Sequence, residues 1–293
     1  MTGVQTCALP ICDAAATGGD QHELRLAVVA AVQPSETAPA PAAQRPAEDW
    51  WRLDLPALQR NYRDQGSFVF IPDFLPGEIV ARLCECVERT EPSVNRNYLP
   101  GHKQGGSVSR HTIDRLTPAI AELYGSARLT DWLARLAGEP LQVSPGDDPH
   151  AYALYFYTRA GDHIGWHYDT SYYAGRRYTL LLGVIDHSSC RLEYQLHTRE
   201  AAARAEAGSV QLPPGGAVFF DGDKLRHRIT PLRAGEKRVA LTFEYLTDPQ
   251  MSRGRRLISQ MKDAVAYFGF RQVFGGGTRR AQRRTIKADR LLP

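Results

Sequence analysis

From residue 151 onward, the sequence consists of short runs rich in aromatic and β-branched residues, separated by turn signals. The clearest turns are at residues 213–216 and 221–222, where proline and glycine interrupt extended structure. Such runs are typical of β-strands joined by short connections. We predict strands at residues 151–158, 177–185, 190–197, 209–212, 217–220, 225–229 and 237–246.

The part of the chain before residue 151 has helical patterns instead. Residues 55–62 carry apolar side chains at helical spacing. A second helix is expected to follow Pro76, because proline suits a first turn. In that helix Ile79, Leu83 and Cys86 would share one face and pack against a core.

The region between these helices and residue 151 continues the pattern. Helix starts are expected at residues 117–118 and at Ser126, and the second of these helices is expected to end at Gly138. A short strand is predicted at residues 67–71. Residues 93–111 are polar and contain glycines, so they predict a loop.

Helices followed by many closely connected strands predict an α+β fold that is mainly β. We expect a double-stranded β-helix (jelly roll) core with N-terminal helices packed on it and a C-terminal helix. The C-terminal helix is predicted from the spacing of Leu257, Met261, Val265 and Phe268.

The composition divides the chain into three parts. Residues 1–48 are predicted to be a disordered segment, because residues 31–48 are rich in proline and alanine. Residues 1–12 resemble the translation of a sequencing adapter and are interpreted as an artefact. Residues 49–274 form the predicted domain, and residues 275–293 form a basic, flexible tail.

Composition and charge argue against several classes of protein. No apolar run approaches the roughly 18 residues of a membrane span. The net charge of +4 gives little support for nucleic-acid binding, and a solvated tail is the preferred interpretation of the C-terminal arginines. Five irregularly spaced cysteines do not form a disulfide framework, which favours a reducing, cytoplasmic location.

The segment around His167 and Asp169 is the strongest candidate for a functional site. In an extended chain, residues two positions apart point to the same side, so an imidazole and a carboxylate would leave one face together. His227, on a later predicted strand, is the best candidate for a third ligand. Two imidazoles and one carboxylate leave open positions on a metal, an arrangement that suits non-haem Fe(II) in oxygenases.

Arg238 lies eleven residues after His227, on the last predicted strand. There Arg238, Ala240 and Thr242 would share a face. Antiparallel pairing of this strand with the His227 strand, through a turn at residues 233–236, would aim that face into the same cavity. A guanidinium group can bind a carboxylate through two parallel hydrogen bonds, and Thr242 could add a hydroxyl group.

These motifs resemble those of the Fe(II)- and 2-oxoglutarate-dependent oxygenase superfamily, in its prolyl-hydroxylase/phytanoyl-hydroxylase-like branch. The similarity lies in the approach from Tyr157 to the His-x-Asp motif, in residues 214–220, and in residues 227–238. Residues 66–75 also resemble the corresponding early segment of these enzymes. The likeness extends over roughly residues 60–250.

The resemblance implies a role for each candidate residue. His167, Asp169 and His227 would bind Fe(II), Arg238 would bind the distal carboxylate of 2-oxoglutarate, and Tyr157 would line the cofactor pocket. O₂ would be the second co-substrate, ascorbate a candidate reductant, and succinate and CO₂ the co-products. Related halogenases replace the metal carboxylate with a small residue so that chloride can bind, so Asp169 argues against a halogenase and for hydroxylation or desaturation, of which hydroxylation is the leading hypothesis.

The resemblance leaves the substrate open. The single domain favours hydroxylation of an unactivated C–H bond in a small molecule, such as an amino acid or a natural-product intermediate. A peptidyl or protein hydroxylase is the alternative enzyme, and a non-catalytic metal-binding module of cupin type is the alternative from another class. The oligomeric state is not indicated by the sequence.

Simpler interpretations exist for several of these residues. Tyr157 and Thr242 could serve only to pack the core. His163 lies four residues before His167, but the flanking Gly161 and Gly165 argue against the helix that a zinc site with this spacing would need. The polar segment 93–111 could be a solvated surface or a lid that recognises substrate.

Overall fold

The computed structural model describes residues 53–252, apart from 147 and 201–204, together with positions 254, 255, 259, 261 and 268. All of these residues lie in the unit Thr37–Pro293. The predicted segments 1–48 and 275–293 and most of the predicted C-terminal helix fall outside the described residues. Among the described helices, none combines the length and apolar character needed to cross a membrane.

The helices of the described region precede the main run of strands. The Asp54 side chain caps the first of them, and the Ser126 side chain caps the last by accepting a hydrogen bond from the amide of Leu129. That last helix ends at Gly138, whose φ of 78° places it in the left-handed region, as predicted. The helices are α1 (Leu55–Asp64), α2 (Gly77–Thr90), α3 (Arg110–Leu116), α4 (Ala119–Tyr124) and α5 (Ala127–Ala137).

The strands form one antiparallel, strongly curved sheet that closes into a barrel-like jelly roll, which confirms the predicted fold class. Its hydrogen-bonded order is β1-β10-β7-β12-β5-β3-β6-β11-β8-β9, with β2 beside β3 and β4 beside β12. The strands are β1 (Phe68–Ile71), β2 (Asn95–Leu99), β3 (Lys103–Ser109), β4 (Gln142–Val143), β5 (Tyr152–Tyr157), β6 (His163–His167), β7 (Arg177–His187), β8 (Leu192–Leu196), β9 (Glu206–Val210), β10 (Ala217–Asp221), β11 (Arg226–Ile229) and β12 (Lys237–Leu246).

Each central strand is buried on both faces. In β12, Val239 and Leu241 belong to the core under the helices, whereas Ala240 faces the interior of the barrel. In β5, Phe156 faces the helices and Tyr155 the interior. Because both faces are covered, these strands read as nearly continuous apolar runs, and the few polar residues within them mark the interior cavity.

The prediction of a loop at residues 93–111 is wrong. These residues form the hairpin of β2 and β3, followed by the start of α3. Gly106, one of the glycines that suggested a loop, instead allows close packing, because a Cβ atom there would collide with the Val94 side chain. A glycine in a strand can mark such a close approach of neighbouring groups.

The predicted pairing of β11 with β12 is also wrong. β11 lies between β6 and β8, and β12 lies between β5 and β7. In a jelly roll, consecutive strands cross between the two facing sheets and need not pair with each other. Arg238, Ala240 and Thr242 nevertheless line the interior cavity, because they reach it from the opposite wall.

Candidate metal centre

Three side chains predicted as metal ligands meet at one end of the barrel. His167 is the last residue of β6, Asp169 follows it by two positions, and His227 lies on β11 directly opposite His167. Their ligand atoms all lie within 4.8 Å of one another. Asp169 Oδ1 is 3.5 Å from His167 Nε2, and Asp169 Oδ2 is 3.9 Å from His227 Nε2. The predicted triad is therefore assembled in space.

Backbone carbonyl groups set the orientation of both imidazole rings. Nδ1 of His167 lies 2.8 Å from the carbonyl oxygen of Gly165, and Nδ1 of His227 lies 3.3 Å from that of Leu225. A carbonyl oxygen only accepts hydrogen bonds, so Nδ1 carries the hydrogen in each ring. Nε2 of both rings then presents a lone pair toward Asp169, which is the arrangement that a metal requires.

The electrostatics of the triad favour the metal-binding protonation states of His227 and Asp169. Burial, and then the neighbouring His167, lower the pKa of His227 to about 4. Burial disfavours the ionised form of Asp169, but His227 and His167 outweigh it and hold the pKa of that carboxyl group well below its usual range. For His167, burial favours the neutral ring, yet the hydrogen bond and charge of Asp169 raise its pKa. A neutral His227 and an ionised Asp169 are the forms that bind metals.

A cavity of about 280 Å³ extends from the triad into the barrel. Its size is that of a site for a small ligand. The wall formed by β12 contributes Arg238, Ala240, Thr242 and Glu244, which alternate along the strand. The strand therefore presents a basic group at one end of the cavity and an acidic group at the other.

Arg238 is the most informative polar residue of this cavity. Arg238 is only 2% exposed, and its Nη1 and Nη2 atoms have no hydrogen-bond partner among the described residues. The ring of Tyr157, which lies opposite on β5, is centred 4.9 Å from the guanidinium carbon. A buried cation without an anionic partner is costly, so this geometry fits a bound carboxylate.

The two other predicted cofactor residues occupy the same cavity with different surroundings. Burial raises the pKa of Tyr157 to about 12, although Arg238 opposes the shift. The phenol is therefore protonated and can donate a hydrogen bond. Thr242 also lines the cavity, but its hydroxyl group donates to the carbonyl oxygen of Ala153, at 3.4 Å.

The sequence interpretation missed a polar cluster behind Asp169. Arg177 Nε lies 2.8 Å from Glu244 Oε2, and both side chains line the cavity. The Thr179 hydroxyl group is 2.9 Å from the same oxygen and 3.0 Å from Asp169 Oδ2. Burial raises the pKa of Glu244, although Arg177 opposes the shift. The signal was the alternation of Arg177 and Thr179 with apolar residues in β7.

Residues 93–111, which the sequence predicts as a polar loop, reach the cavity at His102. His102, at the turn of the hairpin, lines the cavity, and its ring is centred 5.9 Å from that of His167. Arg96 on β2 is held by an ion pair with the buried Asp162, at 2.6 Å.

Nδ1 of His163 lies 2.7 Å from the carbonyl oxygen of Gly161, and His163 is outside the ligand group of the described residues.

Comparison with known protein families gives one partial match. A family model described as Halogenase D matches residues 53–175. The matched segment includes His167 and Asp169 and ends before His227 and Arg238. No curated protein sequence matches the chain.

Several solved structures are similar in fold. SnoN, a non-haem α-ketoglutarate-dependent epimerase from nogalamycin biosynthesis, is 18% identical, with a TM-score of 0.54 over 66% of this chain and 80% of that chain. AviO1 from Streptomyces viridochromogenes Tue57 is 20% identical, with a TM-score of 0.53 over 68% and 97%. A prolyl hydroxylase from Trichoplax adhaerens, in complex with a peptide of hypoxia inducible factor, is 16% identical, with a TM-score of 0.54 over 72% and 94%.

SnoN has also been solved in complex with Fe³⁺, α-ketoglutarate and nogalamycin RO, and that structure is 16% identical with a TM-score of 0.53 over 66% of this chain and 83% of that chain. α-Ketoglutarate is 2-oxoglutarate under another name. Together with the strand topology, these likenesses show that the chain has the double-stranded β-helix fold of the Fe(II)/2-oxoglutarate-dependent oxygenases.

Proposed function

We propose that this protein is an Fe(II)- and 2-oxoglutarate-dependent dioxygenase that hydroxylates an unactivated C–H bond of a small molecule. The observation that carries the proposal is the buried guanidinium group of Arg238, which faces the same cavity as the His167, Asp169 and His227 triad. A barrel that only stores or senses a metal, as in a cupin-type module, has no need of a carboxylate-binding cation beside its ligands.

His167, Asp169 and His227 would hold the iron through two imidazole nitrogens and one carboxylate oxygen. Bound there with 2-oxoglutarate and O₂, the iron supplies the oxidising chemistry, and succinate and CO₂ are the co-products. Ascorbate is a candidate reductant. The structure of SnoN with Fe³⁺ and α-ketoglutarate supports these cofactors by analogy of fold.

Arg238 would bind the distal carboxylate of 2-oxoglutarate and thereby fix the orientation of its 2-oxo acid end. The protonated phenol of Tyr157, whose ring lies beside the guanidinium group, would donate a further hydrogen bond to the same carboxylate. Thr242 has a smaller role in this proposal, because its hydroxyl group already donates to a backbone carbonyl group. It would shape the wall beside the co-substrate.

Halogenation is the second candidate, and the partial match to the Halogenase D family model favours it. Asp169 favours hydroxylation instead. Its carboxylate occupies the ligand position that a halide would need, and its pKa is held well below the usual range, so it stays ionised. We therefore assign hydroxylation to this chain, and chloride in the assay separates the two reactions.

The cavity volume of about 280 Å³ supports a small substrate rather than a folded protein. The cavity is also lined by His102, His150 and Tyr155, with His150 Nε2 2.7 Å from the Tyr155 hydroxyl oxygen. The likeness to a prolyl hydroxylase bound to a peptide keeps a peptidyl hydroxylase as the alternative. An amino acid or a natural-product intermediate remains the first candidate substrate.

The decisive experiment measures succinate release from 2-oxoglutarate by the purified protein with Fe(II), ascorbate and O₂, across a panel of metabolites and peptides in the presence of chloride. Mass spectrometry of the products distinguishes added oxygen from added chlorine. Substrate-stimulated succinate with an oxygenated product supports the proposal. Asp169→Ala serves as the control and should lose hydroxylation because one metal ligand is gone. The absence of both turnover and 2-oxoglutarate binding would refute the oxygenase assignment.

A further inference from the structure

The hydroxyl group of Thr179 lies between two carboxyl groups that are both in or beside the candidate metal centre. Its Oγ1 atom is 3.0 Å from Asp169 Oδ2 and 2.9 Å from Glu244 Oε2. The Thr179 residue is 2% exposed, and Glu244 is 3% exposed. Water therefore has little access to these contacts, so Thr179, Asp169 and Glu244 must satisfy one another's hydrogen bonds.

The number of available hydrogens limits the direction of the hydrogen bonds that Thr179 forms with Asp169 and Glu244. A threonine hydroxyl group has one hydrogen to donate. If Glu244 is ionised, Thr179 has one hydrogen for two carboxylates and donates it either to Asp169 Oδ2 or to Glu244 Oε2, which also accepts from Arg177 Nε at 2.8 Å. If Glu244 is protonated, it donates to Thr179. Both short contacts of Thr179 are hydrogen bonds at the same time when Glu244 carries the proton, and Thr179 then donates to Asp169.

We propose that Thr179 is a positioning residue for Asp169, held in place by the pair of Glu244 and Arg177. This inference rests on the proposed function, because it concerns the same metal centre. The hydrogen bond engages Oδ2 of Asp169 and leaves Oδ1 as the oxygen available to a metal. A carboxylate held in this way binds through one oxygen, which keeps the remaining coordination positions open for co-substrates.

The position of Thr179 in the fold supports this role. Thr179 is the register partner of Glu244 across the β7–β12 pair, so both side chains emerge on the same face of the sheet. Thr179 is also the register partner of Phe220 on β10, which lines the cavity beside His227. Groups that orient ligands from one contact further out typically change metal affinity by about 10- to 100-fold when mutated.

The test compares Thr179→Val, which has nearly the same shape without the hydroxyl group, with Thr179→Ser, which retains it. Binding of Fe(II) and of Co(II) to the apoprotein is measured under anaerobic conditions, and the Co(II) absorption spectrum reports the ligand field. We expect Thr179→Val to bind both metals about 10-fold or more weakly, with an altered spectrum. Thr179→Ser should retain the affinity and spectrum of the wild type.

A double-mutant cycle shows whether Thr179 acts through Asp169. In the Asp169→Ala background, Thr179→Val should cause no further loss of Co(II) affinity, because the group that it positions is gone. Additive losses would overturn the inference, and so would wild-type affinity in Thr179→Val or equal impairment in Thr179→Ser. A wild-type protein that binds neither metal would overturn the proposed function as well, so the two failures are distinguishable.

Discussion

Two buried arginines face the same cavity from neighbouring strands, but they differ in what they contact. Arg177 on β7 forms an ion pair with Glu244, with Nε 2.8 Å from the carboxylate oxygen. Arg238 on β12 has no hydrogen-bond partner for its Nη atoms within the described residues, although it is the more deeply buried of the two, at 2% against 8% exposed. Among the described residues, the cavity is thus lined by one guanidinium group that forms an ion pair and one whose Nη atoms have no hydrogen-bond partner.

From this difference we infer that Arg177 supports the site, whereas Arg238 is the group available to a ligand. Arg238 and Glu244 lie six residues apart on one strand, or about 20 Å in extended conformation. At the Glu244 end, the charges neutralise each other and the pair holds Thr179 against Asp169. At the Arg238 end, the Nη atoms of the guanidinium group have no hydrogen-bond partner among the described residues. Substitutions at the two ends should therefore affect different properties.

The largest effect is expected from breaking the ion pair. Glu244→Leu leaves the Arg177 guanidinium group buried without its partner, which should lower the free energy of unfolding by about 3–5 kcal/mol. Chemical denaturation measures the loss. Arg238→Met is the matched control, because it removes a buried charge whose Nη atoms have no hydrogen-bond partner among the described residues. Greater destabilisation by Arg238→Met than by Glu244→Leu would contradict the distinction between the two arginines.

The second effect concerns 2-oxoglutarate binding. Arg238→Met should weaken binding of 2-oxoglutarate by about 2–5 kcal/mol, because the ligand carboxylate would lose a buried, charge-assisted contact. Isothermal titration calorimetry of the anaerobic Fe(II)-loaded protein measures this change. Fe(II) affinity should stay the same, since Arg238 is not a metal ligand. Retained 2-oxoglutarate affinity in Arg238→Met would assign the co-substrate carboxylate to another residue.

The third effect is the stabilisation of the folded protein by its co-substrate. A ligand present at 100 times its dissociation constant stabilises the native state by about 2.7 kcal/mol. Under anaerobic conditions with Fe(II), 2-oxoglutarate should therefore raise the denaturation midpoint of the wild type. At the same concentration, Arg238→Met should show little or no increase. Equal stabilisation of both proteins would mean that the ligand binds away from the unpaired arginine.

The sequence predicts the metal-binding residues better than it predicts the supporting cluster, for a physical reason. The spacing of His167 and Asp169 is a local property of one extended segment, and the offset from His227 to Arg238 is a short distance along the chain. The contact of Thr179 with Glu244 instead depends on the pairing of β7 with β12, which the sequence does not specify. The roles of the metal residues remain predictions, although the structure brings them together.

The strands themselves can be predicted from the sequence, but the pairing between them cannot. The runs over β5, β7, β10 and β12 are apolar enough to be recognised, because both faces of these strands are buried. Turn residues between β11 and β12 suggested a hairpin, yet the two strands lie in different walls of the barrel. Likewise, Gly106 suggested a loop, but it permits close packing of β3 against Val94. Packing, not local preference, decides these cases.

The smallest effect is expected when the ion pair is replaced as a unit. In Arg177→Met combined with Glu244→Leu, neither member of the ion pair is left buried without the other, so stability should return to within about 1 kcal/mol of the wild type. Chemical denaturation of the two single variants and the double variant measures the coupling between the residues. Metal binding should still be impaired in the double variant, because Thr179 has lost the partner that holds it. If the double variant is as unstable as Glu244→Leu alone, packing rather than charge explains the loss. Recovered stability together with wild-type Fe(II) affinity would instead show that the pair supports the fold but not the metal centre.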